Sequence, residues 1–380
     1  MKNSELVLAR GVAEILPTRT GLATLLAKKK IKLYQGFDPT TKDLHLGHLI
    51  GARKLAQFQK LGHEVIFLVG DGTGQAGDPS GKSKMRDRFM SKDELLTNSR
   101  GYKKQLGKVL DFEGTNPVKI LYNSSWLNDL KLVDILEIAQ NFSVQQLLER
   151  DMFQERLKKQ RTINLREFIY PLLQGYDSVA MDVDLEIGGT DQTFNMLAGR
   201  TLLKAYKNKE KYVLSLKLFE STDGRKMGKT EKNAINLTDN AKDIFGKIMA
   251  MADTFVDPGI ELMTDLPLDH QKNVGPLQAK KDWAFETVKQ IHGQSEAEKA
   301  KKHFEKTFQK GAPVFDKKVL PGSDLLQTVA QAADISNAQT KRLILNSAVQ
   351  VNGKAITNPK AKIKSGDQLK IGKKTFVTVK

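Results

Sequence analysis

Cysteine is absent from the 380 residues. Its absence excludes disulfides and thiolate metal sites, and fits a reducing, cytoplasmic setting. Long apolar runs are missing too: the longest clear one, residues 65–69, falls far short of a membrane span. Residues 1–13 have neither the apolar core nor the small-residue cleavage site of a signal peptide. No internal repeat and no long low-complexity segment is found. Acidic residues are in deficit, 44 Asp and Glu against 61 Lys and Arg, for a net charge of +17. That excess points to a polyanionic partner, nucleic acid or an acidic membrane surface. The length predicts two or three domains.

What is present begins with Tyr34-Gln-Gly-Phe-Asp-Pro-Thr-Thr-Lys-Asp-Leu-His-Leu-Gly-His48. Residues 32–36 and 64–70 read as strands, the second buried on both faces as in a parallel sheet. Leu46, Leu49, Ala52, Leu55, Ala56 and Phe58 recur at helical spacing between them, and Leu61-Gly62 supplies a stop. The histidine pair, His45 and His48, therefore lies where the first strand exits, at the edge where open parallel sheets bind ligands. Gly47 admits a flat ring or a phosphate close to the backbone, and the following helix N-terminus offers free N–H groups to an anion. The stretch reads as a nucleotide site.

After the second strand comes a loop with glycines at 70, 72, 74, 77 and 81, carrying Asp78 and leading into Lys82, Lys84, Arg86 and Arg88. Its position favours a ligand loop over a flexible linker. Residues 93–110 read as one amphipathic helix, 118–122 as a strand and 131–160 as helical, the charged run 149–161 being a solvated face. Tyr170, Gln174 and Asp177 follow at i, i+4, i+7, three polar groups on one face of an apolar helix. A strand at 184–187 ends in Gly188-Gly-Thr-Asp-Gln192 and a new helix, repeating the strand, glycine, helix-start arrangement. Another strand, 212–216, leads to the basic loop that holds Lys226-Met-Gly-Lys229-Thr230. Residues 239–310 are helical. From residue 320 a compact module runs from a helical stretch (325–345) into short strands, with ten Lys and Arg against three Asp, +7 of the total charge. A small basic module on a nucleotide-binding body suggests RNA.

His45-Leu-Gly-His48 and Lys226-Met-Gly-Lys229-Thr230 resemble the two signatures of class I aminoacyl-tRNA synthetases. The flanking motifs, Tyr34-x-Gly-Phe-Asp-Pro-Thr40, Gly77-Asp-Pro-Ser-Gly-Lys82, Tyr170…Gln174…Asp177 and Gly188-Gly-Thr-Asp-Gln192, narrow the resemblance to bacterial-type tyrosyl-tRNA synthetases. It spans nearly the whole chain. The implied fold is α/β: a Rossmann-like doubly wound parallel-sheet catalytic domain (1–236), an α-helical domain of anticodon-recognition type (237–319) and a small α+β S4-like RNA-binding domain (320–380).

The resemblance also implies roles. Tyr34 and Asp177 hold the phenol of tyrosine; in this family, rejection of phenylalanine without editing is an established property, not a deduction from this sequence. Asp78, Tyr170 and Gln174 hold the α-ammonium and Gln192 lies near the carboxylate. Asp191 with Gly188 and Gly189 binds the ATP ribose, Asp38 lies near the nucleotide, and Gly47 and His48 pack against it. Thr40 and His45 stabilise departing pyrophosphate, and Lys82, Arg86, Lys226 and Lys229 close over the phosphates. ATP is a substrate, Mg²⁺ travels on its phosphates, tRNA(Tyr) is the acceptor, and a homodimer forms through helices near 125–160.

Three departures from the family pattern stand out. Glu186 replaces a common glutamine and puts an extra charge in the substrate pocket. Thr193-Phe194 replaces Trp-Gly, and Gly228 and Thr230 replace serines. Alternatives are a tryptophanyl-tRNA synthetase, disfavoured by Tyr34, Asp177 and the tail; a small-cofactor adenylyltransferase, which leaves the tail unexplained; and a non-enzymatic RNA-binding derivative, opposed by the intact histidines and lysines.

Overall fold

The computed structural model describes residues 3–80, 88–222, 234–309, 315, 317–372 and 375–380. Residues up to Glu298 form one compact unit and Lys299–Lys380 a second.

The first unit is built on a six-stranded sheet: β1 (Val12–Leu16), β2 (Lys32–Phe37), β3 (Glu64–Val69), β4 (Lys119–Tyr122), β5 (Leu185–Gly189) and β6 (Tyr212–Leu216). Spatial order is β1-β6-β5-β2-β3-β4, with β1 antiparallel to β6 and every other pair parallel. Chain order leaves β2 in one direction through β3 to β4, then resumes on its other side with β5 and β6. Because parallel crossovers are right-handed, this reversal lays helices on opposite faces and opens a crevice at the carboxyl ends of β2 and β5. Val65 to Val69 are all buried, as the unbroken apolar run requires.

Helix α1 (Leu46–Lys60) makes the β2-to-β3 crossover and buries Leu46, Leu49, Ala52, Leu55 and Phe58. Helices α2 (Leu165–Met181) and α3 (Thr193–Lys207) flank β5, packed against each other. Further on, α4 (Ala241–Met249), α5 (Val256–Met263) and α6 (Pro276–His292) gather around the fully buried Trp283. The α5 surface is opened for that indole by Gly259, where a Cβ would lie 2.2 Å from Trp283 Cε2. Arg10 ties the N-terminal segment to α5, donating to the carbonyls of Ile260 and Glu261 at 2.7 and 2.9 Å.

Several sequence expectations are redrawn. The helix expected over 93–110 is two, Lys92–Ser99 and Tyr102–Leu106, interrupted at Arg100 and Gly101. The 131–160 helix is three pieces, restarted by a Ser143 capping box and again at Arg150. Nor is its charged run wholly a solvated face: Arg150 and Arg156 are buried. Arg156 Nη1 reaches both Glu167 oxygens at 2.7 and 2.9 Å, a buried pair that charge patterning could not distinguish from surface residues. Strand β1 carries no expectation from the sequence.

In the second unit, β7 (Lys317–Val319), β8 (Val349–Val351), β9 (Lys354–Ala355), β10 (Gln368–Ile371) and β11 (Thr375–Val379) form a sheet ordered β7-β11-β10-β8-β9. The single helical stretch expected there is two helices, α7 (Leu325–Ala333) and α8 (Asn337–Leu345). Asp334, at φ 53°, ends the first, and Ser336 caps the second. Val319, Leu325, Val329, Ile344, Val349, Leu369 and Val377 close a core of their own.

Candidate active site

The crevice at the carboxyl ends of β2 and β5 widens into a cavity of about 460 Å³. Tyr34, Asp38, Thr40, His45, Gly47, His48, Asp78, Tyr170, Gln174, Asp177, Gly189, Asp191 and Gln192 all line it. Every candidate residue inside the described portion is thus brought to one place. Lys82, Arg86, Lys226 and Lys229 lie outside the described residues.

At one end, α1 begins in a capping box made of two imidazoles. His45 Nδ1 accepts from Gly47 N at 3.2 Å, and His48 Nδ1 accepts from His45 N at 3.0 Å. A nitrogen that accepts carries no proton, so each neutral ring holds its hydrogen on Nε2, as a donor. Gly47 has a reason beyond ligand access: a Cβ there would sit 3.0 Å from the His45 ring. The stretch is also pinned to the chain that follows the lysine signature. Leu46 N donates to the Ile235 carbonyl at 3.0 Å and Leu237 N to that of Leu44 at 2.7 Å. Two N–H donors at a helix start, where the backbone dipole is positive, suit an anion.

The other end is deeper. Tyr34 is fully buried, its hydroxyl 3.0 Å from Ser178 Oγ. Asp177 accepts from Asn123 Nδ2 at 3.1 Å and Trp126 Nε1 at 2.8 Å. Burial pushes the Asp177 carboxyl well above the usual carboxylate range; the two donors oppose this, while Glu186 and Asp38 add to it. Burial, then Glu186 and Asp177, likewise raise the Tyr34 phenol well above its usual value. Between the two ends, the Tyr170 hydroxyl donates to Asp38 Oδ2 at 3.0 Å, and Thr73 Oγ1 to Asp38 Oδ1 at 2.7 Å. Gln192 Nε2 donates to Asp78 Oδ2 at 2.9 Å. Buried acceptors facing a cavity suit a ligand that brings its own hydroxyl and ammonium donors.

The extra charge expected at Glu186 is compensated. Glu186 Oε2 pairs with the ammonium of Lys211, which is itself fully buried at the start of β6. Burial lowers the Lys211 pKa and Glu186 opposes that shift. Lys211, Ser178, Asn123 and Trp126 escaped the sequence reading. Only Asn123 had a signal, as a polar residue at the carboxyl end of a parallel strand. Arg150 is not the solvated charge that the sequence pattern implies: its guanidinium lies 4.8 Å from the Phe194 ring and donates to Ser80 Oγ at 2.8 Å, holding the loop two residues past Asp78. Among the described residues, no cluster of three or more His, Asp or Glu is placed to hold a metal ion.

The family model described as tRNA synthetases class I (W and Y) matches residues 26–309, and the chain belongs to that family. Among relatives, the tyrosine–tRNA ligase of Aquifex aeolicus is 38% identical over 387 residues, covering 98% of this chain and 97% of that one. That of Haemophilus influenzae is 38% identical over 390 residues, covering 98% and 96%. Within the family, then, the chain falls with the tyrosine–tRNA ligases of bacterial type. The fold is also that of a truncated mitochondrial tyrosyl-tRNA synthetase from Aspergillus nidulans (TM-score 0.68, 22% identity, 80% of this chain and 94% of that). It is shared as well with an Archaeoglobus fulgidus tyrosyl-tRNA synthetase solved with L-tyrosine (TM-score 0.62, 19% identity, 79% and 99%).

Proposed function

We propose that the chain activates L-tyrosine with ATP and transfers it to the 3′ end of tRNA(Tyr). The observation that carries this reading is the gathering of thirteen candidate residues around one cavity, anion donors at its mouth and buried acceptors at its floor. The phenol of tyrosine donates to Asp177 and accepts from Tyr34. Its ammonium lies among Asp78, Gln174 Oε1 and the Tyr170 hydroxyl oxygen, whose proton is already committed to Asp38. Gln192 lies near the carboxylate; Asp191 and Gly189 take the ribose, and Asp38 the nucleotide.

A tyrosine carboxylate oxygen forms a bond to the α-phosphorus as the bond to the departing pyrophosphate breaks. No general base is required, because that carboxylate is already ionised at neutral pH. Alignment and charge stabilisation then supply the rate. The Nε2 donor of His45, with Thr40, serves the leaving group, while His48 and Gly47 pack against the nucleotide. Lys82, Arg86, Lys226 and Lys229 complete the phosphate clamp, and Mg²⁺ enters with ATP as part of that substrate. In the second step the terminal ribose hydroxyl of the tRNA attacks the acyl carbon, and AMP leaves.

The helices after residue 236 serve as the anticodon-recognition-type segment, and residues 320–380, with their +7 charge, as an S4-like RNA-binding module. Leu132, Leu136 and Leu165 are 75, 60 and 74% exposed, and Val133 and Val144 lie open beside them, which supports a homodimer through this region. Among the described residues no helix is long and apolar enough to cross a membrane. Likeness to the bacterial tyrosine–tRNA ligases supports a cytoplasmic location. The deciding assay is ATP–pyrophosphate exchange with each amino acid in turn. Exchange with tyrosine is expected; exchange with tryptophan alone, or with none, refutes the proposal.

A further inference from the structure

We infer that Lys211 and Glu186 are positioning residues that fix which end of the Gln174 amide faces the cavity, and thereby set affinity for the ammonium of the amino acid. The inference rests on the tyrosine-activating reading above. Gln174 and Glu186 both line the cavity, whereas Lys211 stands behind them. A carboxylate only accepts hydrogen bonds, so Glu186 Oε1 can take only the Nε2–H of Gln174, at 3.0 Å. The amide is then oriented by chemistry, with Oε1 turned the other way. That oxygen is buried and has no hydrogen-bond partner among the described residues. Buried acceptors are ordinarily paired, because an unmade bond leaves the desolvation of the group uncompensated. A donor brought by the ligand completes it.

Lys211 holds the Glu186 carboxylate in place. Its nitrogen is surrounded by three acceptors: Glu186 Oε2, Ser178 Oγ at 2.8 Å and the Met196 carbonyl at 3.0 Å. Three acceptors match the three hydrogens of an ammonium. The relay therefore runs from cation to carboxylate to amide, and ends in an oriented oxygen at the ligand. Without the pair, the amide is free to present its NH₂ group, which repels an ammonium.

The test compares wild type with E186M/K211M, which removes both charges together and strands neither in the interior. A second double variant, E186Q/K211M, restores an acceptor to Gln174. Tyrosine-dependent pyrophosphate exchange is measured beside competitive inhibition by 3-(4-hydroxyphenyl)propionate, which keeps the phenol and carboxylate but lacks the ammonium. In E186M/K211M the KM for tyrosine should rise about tenfold, the scale of one hydrogen bond to a charged group. The propionate Ki and the KM for ATP should not change, and E186Q/K211M should recover most of the loss. K211M alone, which takes away the cation that holds the Glu186 carboxylate in place, should show the same split if the methionine pair does not fold. Equal losses for tyrosine and the propionate, or an unaltered KM for tyrosine, overturn the inference. Absence of tyrosine-dependent exchange in the wild type rejects the underlying reading instead, and the inference with it.

Discussion

Replacing Trp126 by phenylalanine removes one of the two donors that hold Asp177 in its ionised form. The carboxyl already sits well above the usual carboxylate range through burial, with the Trp126 hydrogen bond acting in the opposite direction. Removing the donor therefore moves the midpoint further up. A hydrogen bond to an ionised group is worth about 1.5–3 kcal/mol. The ionised carboxylate is the stronger acceptor for the substrate phenol, so the KM for tyrosine should climb as pH falls through that midpoint, and the climb should begin at higher pH in the variant. Pyrophosphate exchange over the pH range in which the protein stays folded, varying tyrosine at saturating ATP, reads the displacement directly. The KM for ATP is the internal control, because the indole hydrogen-bonds Asp177, at the end of the cavity away from the two imidazoles. A thermal melt checks that the smaller ring leaves the fold intact. Superimposable pH profiles, or equal changes in both KM values, would refute the reasoning.

Three further outcomes are expected. Arg156→Met leaves Glu167 buried without its cation and should destabilise the first unit by about 3–5 kcal/mol in denaturant unfolding, with E167Q in the same chain recovering most of it. Gly259→Ala drives a methyl group into the Trp283 indole and should destabilise by about 1–3 kcal/mol, read as a lowered melting temperature. Removing residues 320–380 should leave tyrosine-dependent exchange in place and abolish most tRNA charging, since the core of the first unit includes none of them; loss of both steps together would contradict this.

The sheet and the cavity wall were legible in the sequence for a definite reason. Parallel strands buried on both faces produce unbroken apolar runs, and glycines and polar residues cluster where those strands end. The i, i+4, i+7 spacing of Tyr170, Gln174 and Asp177 translates into a shared helix face whatever surrounds it. The buried charges were opaque for an equally definite reason. Arg156 and Glu167 are 11 residues apart, and Lys211 and Glu186 are 25. Only the fold decides whether such residues meet in the interior or project into water. Trp126 is hidden because its importance lies in orienting another side chain, which leaves no mark on local pattern. Strand β1 has no such signal because it is a short edge strand whose one partner among the described residues, β6, lies some 200 residues away in the chain.

The hydroxyl of Tyr170 donates a hydrogen bond to Asp38, and in the proposed binding mode its oxygen faces the ammonium of the amino acid. A hydrogen bond accepted by such an oxygen polarises the one it donates. Occupancy of the amino-acid half is thereby felt at the nucleotide half. By thermodynamic linkage the effect is reciprocal: whatever factor tyrosine adds to the affinity for ATP, ATP must add to the affinity for tyrosine. The enzyme would then favour the state in which both reactants are present over either alone. Tyr170→Phe should bring that factor to unity, as measured by tyrosine binding with and without a non-hydrolysable ATP analogue.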